Sequence, residues 1–215
     1  MKYEIIETGS KGNAVLFNDS ILVDCGIGFK KLMPFYKSLK IVLLTHIHSD
    51  HFNKATIKRL AEERPCLRFG TPSWLLREVL DCGVSKACID VYDVGEKYSY
   101  ADFEVVPFGL VHDVQNCGYK ITADKETFVY ATDTSYLPDI PNCDYYFIEA
   151  NYLNADALVD RIKAKREAGE YIYEERLIDR HLSEEYALNW LVRNGRADSQ
   201  HVFLHEHINE EDKSE

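Results

Sequence analysis

The segment His46-Ile47-His48-Ser49-Asp50-His51 constrains this chain more than any other. Three imidazoles and a carboxylate sit within six residues, directly behind an apolar run, Ile41-Val42-Leu43-Leu44, that reads as a buried strand. Polar groups rarely gather behind a buried strand without a partner to offset their lost hydration. Imidazole and carboxylate are the ligands that zinc and similar divalent ions accept. In an extended segment alternate side chains share a face, so His46 and His48 are expected to point the same way. Asp50 and His51 fall where the chain turns toward the next helix. That spacing suits two adjacent ions better than one.

Composition frames this motif without explaining it. The 215 residues suit one large domain, 1–215, with a real core, and 46% hydrophobic with 28% charged residues matches an ordinary soluble protein. No stretch is long and apolar enough to span a bilayer, and the start of the chain, Met1 to Ile6, reads as a first strand and not as a signal peptide. The six cysteines, Cys25, Cys66, Cys82, Cys88, Cys117 and Cys143, form no C-x-x-C pair. They read as reduced thiols in a cytoplasmic protein, and the missing C-x-x-C pair disfavours a zinc ribbon. A net charge of -11 argues against a broad nucleic-acid-coating surface. It leaves room for a nuclease, because two bound cations make a site locally positive.

The pattern predicts strands at Ala14–Phe17, Ile21–Asp24, Phe103–Phe108, Gly118–Thr122, Phe128–Ala131, Tyr145–Ile148 and His201–Leu204. Asn53 is expected to cap a helix running to about Glu63, and Thr71 another that starts at Pro72 and ends at Gly83. Further helices are expected from about Asn154 to Ala168 and after Ser183. The run Thr8-Gly9-Ser10-Lys11-Gly12-Asn13 reads as a plain turn, and Asn209–Glu215 as a frayed end. Sheets sandwiched between helical layers follow from that order.

A two-ion site needs more ligands than one hexapeptide supplies. His112, Asp133 and His205 each stand where an apolar strand gives way to a loop. Taken singly they have ordinary structural alternatives, and together with the hexapeptide they point to a common site.

His46-x-His48-x-Asp50-His51, followed in order by His112, Asp133 and His205, resembles the metallo-β-lactamase fold superfamily over nearly the whole chain. The resemblance implies an α/β fold, a four-layer αββα sandwich with a dinuclear metal site. It implies that His46, His48 and His112 bind one metal and that Asp50, His51 and His205 bind the other, with Asp133 bridging. His207 competes with His205 for the last role. Arg180-His181-Leu182-Ser183 resembles the Gly-His-Leu-Ser element of phosphodiesterase branches that include ribonuclease Z and the YycJ/WalJ-type proteins. Phe147-Ile148-Glu149-Ala150 resembles their His-Glu-Ala-Thr element, and Gly9–Asn13 and Val23–Gly26 also look YycJ-like. Arg180 replaces glycine, no histidine precedes Glu149, and no long inserted arm of the ribonuclease Z kind is evident.

Two cations hold a hydroxide at neutral pH by lowering the pKa of water to about 7, and they stabilise charge on a phosphoryl oxygen. Asp50 is expected to ligate and to orient that hydroxide. His181, held by Glu149 through its other ring nitrogen, is expected to assist the leaving alkoxide. The catalytic residues expected are therefore Asp50, His181 and Glu149. The expected cofactors are two divalent ions, zinc first, with manganese or iron as alternatives. The activity expected is phosphodiester hydrolysis, on DNA or RNA or on a small cyclic phosphate. Lactam or thioester hydrolysis and a non-catalytic metal-binding module are the competing classes. The basic stretch Arg161–Arg166 reads as a solvated helix face, and Tyr171-Ile172-Tyr173 as either a stacking wall or an aromatic core strand or lid.

Overall fold

A computed structural model describes residues 2–205. The expectations for His207 and for the frayed end at Asn209–Glu215 lie outside these residues. The chain divides into two compact units, residues 1–108 and 109–215.

The first unit holds strands β1 (Tyr3–Glu7), β2 (Ala14–Phe17), β3 (Ile21–Val23), β4 (Ile41–Leu43), β5 (Arg68–Pro72) and β6 (Ile89–Tyr92) in one sheet, in that order. The first three pair antiparallel, and β3 to β6 run parallel. β2, β3 and β4 are apolar and fully buried, as strands covered on both faces must be. Between them come helices α1 (Phe29–Leu32), α2 (Lys54–Glu63) and α3 (Leu76–Asp81). α2 begins where expected, because the Asn53 side chain accepts the Thr56 amide at 3.0 Å. It buries Ile57 and Leu60 against a core that includes Leu16, Leu22, Val42 and Phe69.

One sequence expectation fails here. Thr71 and Pro72 do not open a helix: they end β5, in register with Val91 and Tyr92. Pro72 is the strand's last residue, so the ladder does not continue past the amide it lacks. A short 3-10 turn at Ser73–Leu75 precedes α3, and Gly83, at φ 86°, follows it.

Strands β7 (Tyr98–Ser99) and β8 (Phe103–Leu110) carry the chain to the boundary between units. Beyond it lie β9 (Asn116–Ala123), β10 (Glu126–Ala131), β11 (Tyr145–Glu149) and β12 (Gln200–Leu204), with helices α4 (Ala155–Ala168) and α5 (Glu184–Asn194). The second sheet is ordered β12-β11-β10-β9-β8-β7. β10, β11 and β12 run parallel, so their C-terminal ends and the loops after them lie together. Asn154 caps α4 through the Ala157 amide at 2.9 Å, and Gly169, in the left-handed region, ends it. Ser183 caps α5 at the Tyr186 amide, with Glu184 and Glu185 at the helix's positive end. Trp190 of α5 is fully buried edge-on to Tyr146 of β11, at 5.4 Å between rings.

Candidate metal centre

In the first unit the histidine segment leaves β4 and closes a tight turn. His51 and Phe52 both donate backbone hydrogen bonds to the His48 carbonyl, at 2.9 and 2.7 Å. Asn13 and Cys25 tie the same turn to the loops before β2 and after β3, through the Asp50 and His51 carbonyls. Gly26 must be glycine, since a Cβ there would lie 1.7 Å from the Asp50 carbonyl oxygen. His46 and His51 are buried and His48 is half-buried. The His46 ring lies 4.9 Å from that of His48 and 4.2 Å from that of His51.

Asp24 organises this cluster. It follows β3 in the left-handed region, at φ 60°, an uncommon backbone state for a residue other than glycine. One carboxylate oxygen accepts the Thr45 amide at 3.1 Å and the Thr45 hydroxyl at 2.8 Å. The other accepts the Nδ1 hydrogen of His51 at 2.7 Å. Because the Thr45 hydroxyl spends its proton on Asp24, it accepts from His46 Nδ1, at 3.0 Å. Both imidazoles are thereby held in the same tautomer, with the lone pair on Nε2. Asn13, fixed by the amide and carbonyl of Gly9, donates to the Nε2 lone pair of His51 at 2.8 Å.

In the second unit, the loops after β10, β11 and β12 bring four groups together. Donor atoms of Asp133, Glu149, His181 and His205 lie within 4.8 Å of one another. Asp133 and His205 both follow strand ends with positive φ, 57° and 56°. Asn116 holds the backbone of Asp133 by donating to the Thr132 and Asp133 carbonyls at 3.0 and 2.7 Å. Glu149 is completely buried. One of its oxygens accepts the Thr134 and Leu182 amides, and the other accepts His181 Nδ1 at 2.5 Å. Burial of His181 works against its charged form, but the charge and hydrogen bond of Glu149 outweigh this, aided by Asp133. The His181 pKa is accordingly raised above the ordinary histidine value. His205 Nδ1 lies 3.3 Å from Asp133 and 3.5 Å from Glu149.

His112 repeats the tautomer found in the first unit. Its Nδ1 donates to the Arg180 carbonyl at 3.3 Å, which leaves the lone pair on Nε2. Its ring stands 5.5 Å from that of His181. Nε2 lies 3.2 Å from Asp113, a carboxylate that also holds the Arg180 guanidinium at 2.6 Å.

Nitrogen donors and buried carboxylates are the donor chemistry of a divalent transition-metal site, down to the partners that orient the His46, His51, His112 and His181 rings through Nδ1. Every residue expected from the sequence to ligate or catalyse is placed in one of these two clusters. The first gathers His46, His48 and His51, with an Asp50 oxygen 3.8 Å from His51 Nε2, and the second Asp133, Glu149, His181 and His205, with His112 Nε2 3.9 Å from Asp133. Asn13, Asp24, Asp113, Asn116 and Thr134 were not among the expected site residues. Asp24 carried the same signal as Asp133, a carboxylate directly after an apolar strand. Asn13 lay in a glycine-rich turn whose ordinary reading is true but incomplete.

The basic stretch of α4 is occupied. Arg161 at 3.2 Å, together with Lys165, meets the buried Glu174, and Arg166 meets Glu175 at 2.8 Å. Tyr171-Ile172-Tyr173 forms no strand, and Tyr171 is exposed.

Among the described residues, two mixed sheets with five helices, and imidazoles and carboxylates collected at strand ends, define a metallo-β-lactamase-type fold. Residues 19–205 match the model of the beta-lactamase superfamily domain, and the chain belongs to that superfamily. It is 23% identical over 168 residues to the exodeoxyribonuclease YycJ of Bacillus anthracis, covering 71% of this chain and 63% of that relative's length. Among solved structures, the metallo-beta-lactamase fold protein YhfI of Bacillus subtilis superposes with a TM-score of 0.67 at 17% identity, over 98% of this chain and 88% of that one. The short form of human tRNase Z gives 0.65 at 16% identity, over 97% and 93%.

Proposed function

We propose that this chain is a metal-dependent hydrolase of phosphodiester bonds, acting as a single domain over residues 1–215 on DNA or RNA. In this reading His46, His48 and His112 hold one divalent ion, Asp50, His51 and His205 hold a second, and Asp133 serves both. Zinc is the first choice for so imidazole-rich a set, ahead of manganese or iron. When bound, the ions supply a water that is nucleophilic at neutral pH and positive charge beside the phosphoryl oxygens.

The chain's own residues divide the remaining work. Asp24, Thr45 and the Arg180 carbonyl keep three imidazoles in the tautomer that presents Nε2. Asp50 orients the attacking water. His181, with Nδ1 held by the buried Glu149, gives a proton from Nε2 to the departing alkoxide. The His181–Glu149 contact is the observation that carries the reading. An alkoxide leaving a phosphodiester needs that proton, whereas lactam and thioester cleavage need it less. The exodeoxyribonuclease and tRNase Z relatives support nucleic acid as the substrate class. The six free thiols suit a reducing, cytoplasmic compartment. No helix among the described residues is long and apolar enough to cross a membrane.

The test is turnover of bis-p-nitrophenyl phosphate by metal-reconstituted protein, with Asp50→Ala and His181→Ala alongside. The expected result is activity in the wild type and its loss in both variants, with metal retained in His181→Ala. A fully metallated wild type that leaves the diester intact sinks the proposal.

A further inference from the structure

The guanidinium of Arg180 takes no part in the hydrolysis proposed above. Its main chain is already engaged at the site: the Arg180 carbonyl accepts the Nδ1 hydrogen of His112, and the next residue is His181. Its side chain is 39% exposed, whereas those of His112 and His181 are 3% and 13% exposed. The Arg180 side chain is therefore far more open to solvent than the imidazoles of His112 and His181.

Asp113 fixes it there. One Asp113 oxygen takes Arg180 Nη1 at 2.6 Å, and the other lies 3.2 Å from His112 Nε2. That ion pair removes part of the rotamer freedom that makes an exposed arginine a poor binder. Among the described residues only Nη1 is engaged, so Nε and Nη2 remain to receive an anion. A planar fork with two parallel N–H groups matches the paired oxygens of a phosphate. The basic residues of α4 offer no comparable group, since Arg161, Lys165 and Arg166 are committed to Glu174 and Glu175.

We propose that Arg180 binds a second phosphate of the substrate, next to the one that is cleaved, and that it thereby selects nucleic-acid strands over substrates with a single phosphate. This rests on the phosphodiesterase reading above and narrows it: a cyclic monophosphate has no second phosphate to offer. Arg180 is a specificity-determining residue and Asp113 its positioning partner.

Two measurements test this. The first is binding of a fluorescent, hydrolysis-resistant phosphorothioate oligonucleotide across a salt series, to metal-reconstituted wild type, Arg180→Gln and Arg180→Lys. Arg180→Gln is expected to weaken binding about tenfold and to flatten the slope of log K against log salt by about 0.7, the value of one lost contact to a single strand. Arg180→Lys keeps the charge without the fork, so it is expected to restore the slope and only part of the affinity. An unchanged slope and affinity in Arg180→Gln overturns the proposal.

The second is kcat/KM on an oligonucleotide and on bis-p-nitrophenyl phosphate. Arg180→Gln is expected to lower the first at least ten times more than the second, chiefly through KM. Equal losses on both overturn the proposal, because they place Arg180 at the cleaved phosphate or in the support of His112. The binding arm needs no turnover, so a wild type that binds through Arg180 but cleaves nothing refutes the hydrolase reading alone.

Discussion

Asp24 shows how much of this site depends on single atoms. Its two oxygens set the tautomers of His46 and His51 at once, directly for one and through Thr45 for the other. Asp24→Asn leaves the volume unchanged but removes the charge that holds the Nδ1 hydrogen of His51. Metal affinity, read by competition with a chromophoric chelator, is expected to fall about 10- to 100-fold, as for other outer partners of metal-bound histidines. Wild-type affinity in this variant would show that His51 needs no such partner. Glu149 acts on His181 in the same way but for a different purpose. Glu149→Gln is expected to keep its metal and lose about 10²- to 10⁴-fold in kcat on a diester, the usual worth of a positioned proton donor. A variant that turns over like the wild type would remove His181 from the mechanism.

At the scale of elements, the site depends on loops that neighbouring loops pin. Gly26 is the tightest point: alanine there cannot fit beside the Asp50 carbonyl. Gly26→Ala is expected to cost about 1–3 kcal/mol, by analogy with overpacking, and to lower metal content with it. A wild-type melt with full metal would contradict this. The segment between α4 and α5 is tied by the buried carboxylate of Glu174. Its burial works to raise the pKa, but Lys165 and Arg161 prevail and hold the carboxyl below its ordinary value. A lowered folded pKa means that its stabilisation is present above the unfolded value, about 4.3, and is lost as pH falls through the folded one. Glu174→Gln is therefore expected to destabilise by about 1–3 kcal/mol at pH 7, with the gap to wild type closing below about pH 4. A gap independent of pH would mean that shape, and not charge, holds the segment.

These elements also show what was legible in the sequence. Helices α2, α4 and α5 announce themselves through side-chain caps and periodic apolar positions, which are local signals. Thr71-Pro72 carries an equally good local helix signal, and it is overridden by pairing with Val91 and Tyr92, some 20 residues away. The proposed metal donors are legible because each is a histidine or aspartate at or just past the end of an apolar strand. Asn13 and Asp24 were missed as site residues because their partners, His51 and Thr45, become neighbours only after the sheet has formed.

In the proposed function, two donor sets, one in each compact unit, serve one dinuclear centre. Ions that bind only the folded chain stabilise it by about 2.7 kcal/mol at a hundredfold excess over Kd, or roughly 5–10 °C in Tm for a chain of this size. Chelation is expected to reverse that shift, and a melt indifferent to chelator would argue against resident metal. The most direct test is the number of ions per chain, by elemental analysis after reconstitution with zinc and removal of unbound metal. Two ions are expected in the wild type, and fewer in both His46→Ala and His205→Ala, which remove one donor from each set. One ion or none in the wild type, or two retained in either variant, would contradict the dinuclear centre.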